Sequence, residues 1–72
     1  MQPLALKVTR AAQVRLQQSP HVILREVSCE FDQGVLVLRG RVPSFYYKQL
    51  AQEAIAHVEG VVQVVNKIEV VN

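Results

Sequence analysis

The feature that most constrains this 72-residue chain is a strand, a helix and a second strand that follow one another between residues 34 and 70. The first strand ends at Pro43, and Ser44 is a suitable N-cap for the helix that follows. Gly60 lies where a left-handed C-terminal cap is expected after a helix that reaches about Val58. Two strands joined by a crossover helix predict a parallel pair with a right-handed connection.

The preceding residues predict a first helix and a strand that forms a hairpin with the strand after Gly34. Apolar residues at four-residue spacing predict a helix over about residues 6–18; they are Val8, Ala12 and Leu16. Pro20 ends this helix, because the residue before a proline avoids the helical region. The next strand is predicted from Leu24 to Phe31, because Val27, Cys29 and Phe31 alternate with polar residues, as in a half-buried strand.

Alternation along the later strands separates an inward face from an outward one. The inward set is predicted to be Leu36, Leu38, Gly40, Val42, Val64, Asn66, Ile68 and Val70. The outward set is predicted to be Val35, Val37, Arg39, Arg41, Val65, Lys67, Glu69 and Val71. The predicted architecture is therefore α+β in the order αββαβ, a three-stranded mixed sheet with two helices on one face. It forms one domain over residues 1–72, and whether the last strand borders the first or the second stays open.

The polar and reactive residues do not form a catalytic or metal-binding pattern. The two histidines, His21 and His57, lack ligand spacing, and no triad, dyad or cofactor motif is present. The single Cys29 has inward parity, which predicts a buried, inert thiol. A net charge of +2 is too small to indicate nucleic acid. We therefore expect no enzyme, no metal, no cofactor and no nucleic-acid partner.

Three polar side chains have structural interpretations. Glu26 and Glu30 share a strand face, and we expect them to pair across strands with basic side chains on the solvated face. The candidate partners are Arg39, Arg41 and Lys67. Asn66 is predicted inward, where a buried amide must be hydrogen-bonded, so we expect it to tie the last strand to a neighbouring loop.

The order and spacing of these features resemble those of the BON domain, a module of bacterial envelope proteins. The residues that carry the resemblance are Ser19-Pro20, Gly34, Gly40, Val42, Ser44-Phe45, Ala51, Ala54, Val58-Glu59-Gly60-Val61, Val64, Asn66, Ile68 and Val70. The resemblance covers nearly the whole chain. It implies a non-enzymatic module that binds phospholipid membranes or docks onto partner proteins.

A sheet with helices on one side leaves its other face as the candidate interaction surface. The residues predicted to form this surface are Val35, Val37, Val65 and Val71 with Arg39, Arg41 and Lys67, and Phe45 is a second candidate as an exposed aromatic anchor. An ordinary valine-rich sheet surface is the alternative interpretation. The leading function is protein–protein or self-association, and the alternative is peripheral binding to an anionic phospholipid membrane.

The N-terminus has no basic segment followed by a long apolar core, so it does not resemble a signal peptide. No apolar run approaches the ~20 residues that a membrane span needs. As written, the sequence predicts a cytoplasmic protein. If it is a piece of an exported protein, a periplasmic or envelope-associated location is expected instead.

Overall fold

The computed structural model of the protein describes residues 3–71 and has the predicted α+β architecture. The helices are α1 (Pro3–Gln17) and α2 (Phe45–Ala54), and a 3₁₀ turn spans Val22–Glu26. The strands are β1 (Ser28–Asp32), β2 (Val35–Arg39), β3 (Arg41–Val42), β4 (Gln63–Asn66) and β5 (Glu69–Val70). The sheet has its two helices on one face, as the sequence predicts.

The sheet topology answers the question of strand order. β2 lies in the middle, antiparallel to β1 and parallel to β4, so the last strand borders the second. β3 follows β2 and β5 follows β4, and the second pair of strands keeps the register of the first. In this second pair, Arg41 lies opposite Glu69 and Val42 lies opposite Val70. Gln33 and Gly34 close the β1–β2 hairpin with φ values of 49° and 85°, as a type I′ turn requires.

The core lies between the helices and the inward face of the sheet, where most of the predicted residues are found. Its buried members are Val8, Ala12, Leu16, Leu24, Val27, Leu36, Leu38, Val42, Ala51, Ile55, Val58 and Ile68. Val70 is the exception, because 41% of it is exposed. It lies in a two-residue strand at the edge of the sheet and so has a neighbouring strand on one side only.

The predicted first strand is wrong in its N-terminal half, which is a 3₁₀ turn. The Leu24 amide donates to the His21 carbonyl and the Val27 amide to the Leu24 carbonyl. This tighter winding buries both Leu24 and Val27, which an extended chain would place on opposite faces. From Val27 to Phe31 the predicted alternation is confirmed, with Ser28 and Glu30 exposed.

The second helix ends earlier than predicted, at Ala54 rather than near Val58. A turn over residues 55–57 follows, in which His57 takes the left-handed conformation at φ 66°. This turn buries Ile55 and Val58 together. Gly60 is therefore not the helix cap, although its φ of 95° is also left-handed. A Cβ at Gly60 would lie 3.2 Å from Val8 Cγ2, so its role includes a close approach to α1.

Candidate functional site

Three of the predicted outward valines lie side by side on the sheet face opposite the helices. Val37 is directly opposite Val65 across the β2–β4 pair, and Val35 is two residues along the same strand. All three are half-buried. Val35, Val37 and Val65 therefore form one contiguous apolar surface, called the valine patch below.

Charged side chains border the valine patch on its β1 side and at the end of β2. On β1, Glu30 is opposite Val37 and Asp32 is opposite Val35. Arg39 Nε lies 3.3 Å from Glu30 Oε1, which confirms the expected cross-strand pairing of Glu30. Both side chains are exposed, so the pair contributes about 0–1 kcal/mol to stability and serves mainly as a polar rim.

The fourth predicted valine, Val71, does not belong to the valine patch. Its amide donates to the Val42 carbonyl at 2.9 Å, which places it at the far end of the β3–β5 pair. Arg41 and Glu69 form a second exposed ion pair at 3.2 Å in this region. Charged residues therefore separate Val71 from the patch: Lys67 and Glu69 lie between Val65 and Val71 along the chain, and Arg41 pairs with Glu69 across the strands.

Phe45 lies on the helix side of the molecule rather than on the open sheet face. It is the first residue of α2 and is 65% exposed, as an aromatic anchor would be. Tyr46, the next residue, is 60% exposed, and Val22 in the 3₁₀ turn is 67% exposed. These exposed apolar side chains lie at the start of α2 and in the 3₁₀ turn, a second region distinct from the valine patch. Within it, Phe45 lines a groove with Asn66, whereas Val22 lines another with Tyr47.

Edge-to-face aromatic contacts link His21, the residue before the 3₁₀ turn, to α2 in this second region. The His21 ring lies 5.7 Å from the Tyr47 ring and 6.3 Å from the Tyr46 ring, with edge-to-face geometry in both pairs. Tyr46 and Tyr47 are 5.4 Å apart. We call this region, which comprises the start of α2 and the 3₁₀ turn, the aromatic end; its members are His21, Val22, Phe45, Tyr46 and Tyr47. The sequence interpretation singled out Phe45 alone, although three consecutive aromatic residues were a signal for the others.

Asn66 fastens β4 to α2. Its Nδ2 donates to the Lys48 carbonyl at 3.0 Å and to Gln52 Oε1 at 3.2 Å, while its Oδ1 accepts from the Ile68 amide at 3.2 Å. The expected hydrogen bonding is thus present, but the partner is a helix and not the predicted loop. Asn66 therefore has a structural role in the strand rather than in a ligand site.

Cys29 is only half-buried, because it lies in the edge strand β1 opposite Leu38. Burial raises the pKa of its thiol from 9.0 to about 11. The thiolate is the reactive form, so this environment disfavours nucleophilic chemistry. Within residues 3–71, moreover, no three His, Cys, Asp or Glu side chains are grouped in a way that could hold a metal ion.

A small α+β domain with an open sheet face and an exposed aromatic surface has the features of a binding domain. Comparison with known families agrees: the BON domain model matches residues 7–72. The chain therefore belongs to the BON domain family, whose members are binding rather than catalytic domains. A comparison with curated proteins gave no match. None of the helices in the described part of the chain is long and apolar enough to cross a membrane.

Proposed function

We propose that this domain is a protein-docking module that associates through the open face of its sheet, with a second copy of itself as a partner. The valine patch supports this proposal most strongly. The parallel register of β2 and β4 brings Val35, Val37 and Val65 together on the one sheet face that neither helix covers. Contiguous exposed apolar area of this kind often marks an interaction site.

The surroundings of the patch have the composition of an interface. Apolar groups occupy its centre, and Glu30, Asp32 and Arg39 form a charged border on the side away from β4. Protein interfaces commonly have such an apolar centre and a polar, solvated rim. The rim charges have both signs. Such charges orient a protein partner that carries complementary charges, but they attract a uniformly anionic membrane surface less well.

Replacing both Val37 and Val65 with Lys tests the proposal. Both side chains point away from the helices, so the added charges stay solvated in the monomer. At an interface they would be buried or would lie beside the same charges of the second copy. We expect the double variant to lose association in sedimentation velocity over a concentration series. Circular dichroism must show that the variant remains folded.

A matched control is Val14→Lys, because Val14 is exposed on α1, away from the sheet. This variant should associate as the wild type does. A wild type that remains monomeric at every concentration would contradict self-association. Unfolding of the double variant would show that the open face is part of the core.

Peripheral phospholipid binding is the second candidate function, and the aromatic end is the observation that favours it. Phe45, Tyr46 and Val22 are the kind of exposed side chains that insert at a membrane interface. The cations of α1 support it less, because the Arg15 side chain already donates to the Ala56 carbonyl at 2.8 Å.

Co-sedimentation with vesicles, with and without anionic lipid, tests this second function. If it is correct, wild type should pellet with anionic vesicles and Phe45→Ser together with Tyr46→Ser should reduce pelleting. Val14→Ser is the control for loss of an exposed apolar residue on another helix. Equal pelleting of all three proteins would exclude the aromatic end as the lipid contact.

A further inference from the structure

The two edges of the sheet differ in how they are protected from pairing with another strand. β1, at one edge, has Glu30 and Asp32 among its five residues. β4, at the other edge, has the sequence Gln-Val-Val-Asn and no charged residue. Charged side chains are a common means of preventing edge-to-edge association, so β1 is protected in this way and β4 is not.

The backbone of β4 has groups that point away from the sheet. Gln63 donates to the Gly34 carbonyl and Lys67 to the Leu38 carbonyl, so odd-numbered residues face β2. Because backbone groups alternate along a strand, those of Val64 and Asn66 point to the outer side. The neighbouring even-numbered amides are already used: Val62 donates to the Gly34 carbonyl and Ile68 to Asn66 Oδ1. Within residues 3–71, the unpaired part of this edge is thus the short segment from Val64 to Asn66.

We infer that a second copy of this chain pairs antiparallel with β4, with Val65 opposite Val65 of the second copy. This inference rests on the proposed self-association and specifies its contact: the two copies meet at the β4 edge of the open face, where the valine patch of one copy continues into that of the other. In this register Val64 faces Asn66 of the second copy, and the two residues exchange both N–H···O bonds. The two β4 strands then join two sheets into one.

The side chains of the open face favour this register. Val65 is opposite Val37 within one copy, so pairing Val65 with its equivalent produces an unbroken row of valines across both copies. Apolar β-branched pairs that face each other across strands stabilise a sheet. Gln63 would face Lys67 of the second copy, so this register places no like charges opposite each other.

The same pairing at the other edge is unfavourable. An antiparallel β1–β1 contact would place Glu30 and Asp32 of one copy beside the same carboxylates of the other. Like charges directly opposite each other destabilise strand pairing. The charge distribution therefore favours β4 as the self-pairing edge.

Disulfide trapping tests the inference. In a Cys29→Ser background, Val65→Cys places one thiol at the proposed twofold axis, where Cα atoms of a non-hydrogen-bonded antiparallel pair are about 4.5 Å apart. That separation lies within the range that disulfides span. The matched control is Val35→Cys, which is also half-buried on the open face but lies in the central strand β2.

Under mild oxidation we expect Val65→Cys to form a covalent dimer at least tenfold faster than Val35→Cys, a margin that corresponds to about 1.4 kcal/mol. Equal rates would overturn the edge pairing and indicate face-to-face stacking, with the proposed self-association still valid. If the wild type associates in sedimentation but Val65→Cys does not cross-link, the edge pairing is also overturned. If nothing associates or cross-links, both proposals fail.

A second variant tests the backbone contribution. Val64→Pro removes an outward-pointing N–H while leaving the amides that face β2 in place. We expect it to abolish the wild-type dimer in sedimentation while the circular dichroism spectrum is retained. A folded Val64→Pro protein that dimerises as the wild type does would overturn the edge pairing.

Discussion

Gly40 separates β2 from β3, and its backbone conformation explains why a glycine is present. Its φ is +153°, a value that side chains of L-residues rarely adopt. A Cβ there would lie 3.5 Å from Val27 Cα, which is an ordinary contact. The close neighbour is thus the segment before β1, and not a helix.

Gly40→Val should destabilise the domain more than Val37→Thr. A non-glycine residue in a rarely adopted backbone conformation costs about 1–3 kcal/mol. Val37 faces outward, where substitutions usually change the free energy of unfolding by less than about 0.5 kcal/mol. Urea unfolding of both variants measures the difference. A larger loss for the Val37 variant would mean that the two faces of the sheet are reversed.

Cys29 should react slowly with thiol reagents in the native protein. Because burial raises its pKa from 9.0 to about 11, the thiolate fraction near neutral pH falls about 100-fold. The labelling rate should therefore keep increasing as the pH rises from 9 towards about 11. The urea-unfolded protein is the control and should label like a free thiol. Native labelling that levels off near pH 9 would contradict the burial of this side chain.

At the scale of elements, Asn66 connects a strand to a helix through one side chain. Replacing it with Leu removes the hydrogen bonds to Lys48, Gln52 and Ile68 together. The Ile68 amide is partly buried, so leaving it without a partner should cost about 1–3 kcal/mol. Gln52→Ala, which removes only an exposed bond, should cost less. Equal losses in urea unfolding would show that the connection to Ile68 is unimportant.

Local sequence patterns predicted most of the elements for physical reasons that the structure confirms. Alternation with period two located the inward Leu36 and Leu38 and the outward Val35 and Val37, because parity fixes the face once one face is buried. The stripe on α1 and the hairpin at Gly34 follow from equally local rules. These features depend on neighbours that are close in sequence.

The features that the sequence did not predict depend on tertiary packing. The 3₁₀ turn buries Leu24, and the early end of α2 buries Ile55, although both segments have patterns typical of other structures. The strand order decides that Val71 lies apart from the valine patch, and no local pattern contains that information. The sequence therefore predicted the three valines of the patch correctly but wrongly added Val71 to them.

At the scale of the whole molecule, the two candidate surfaces belong to different layers. The valine patch lies on the sheet face opposite the helices, whereas the aromatic end is formed by α2 and the 3₁₀ turn. The molecule is elongated, with extents of 39 × 20 × 19 Å. Variants at one surface therefore leave the other intact, so protein docking and lipid binding can be tested independently.

The central claim is that the open sheet face and its β4 edge are the binding surface of this BON domain. Amide chemical shifts of the isotope-labelled wild type, recorded over a dilution series, test it most directly. We predict concentration-dependent shifts around Val37 and from Val64 to Asn66, with unchanged shifts along the exposed side of α1. Shifts confined to Phe45 and Tyr46, or no change on dilution, would contradict the claim.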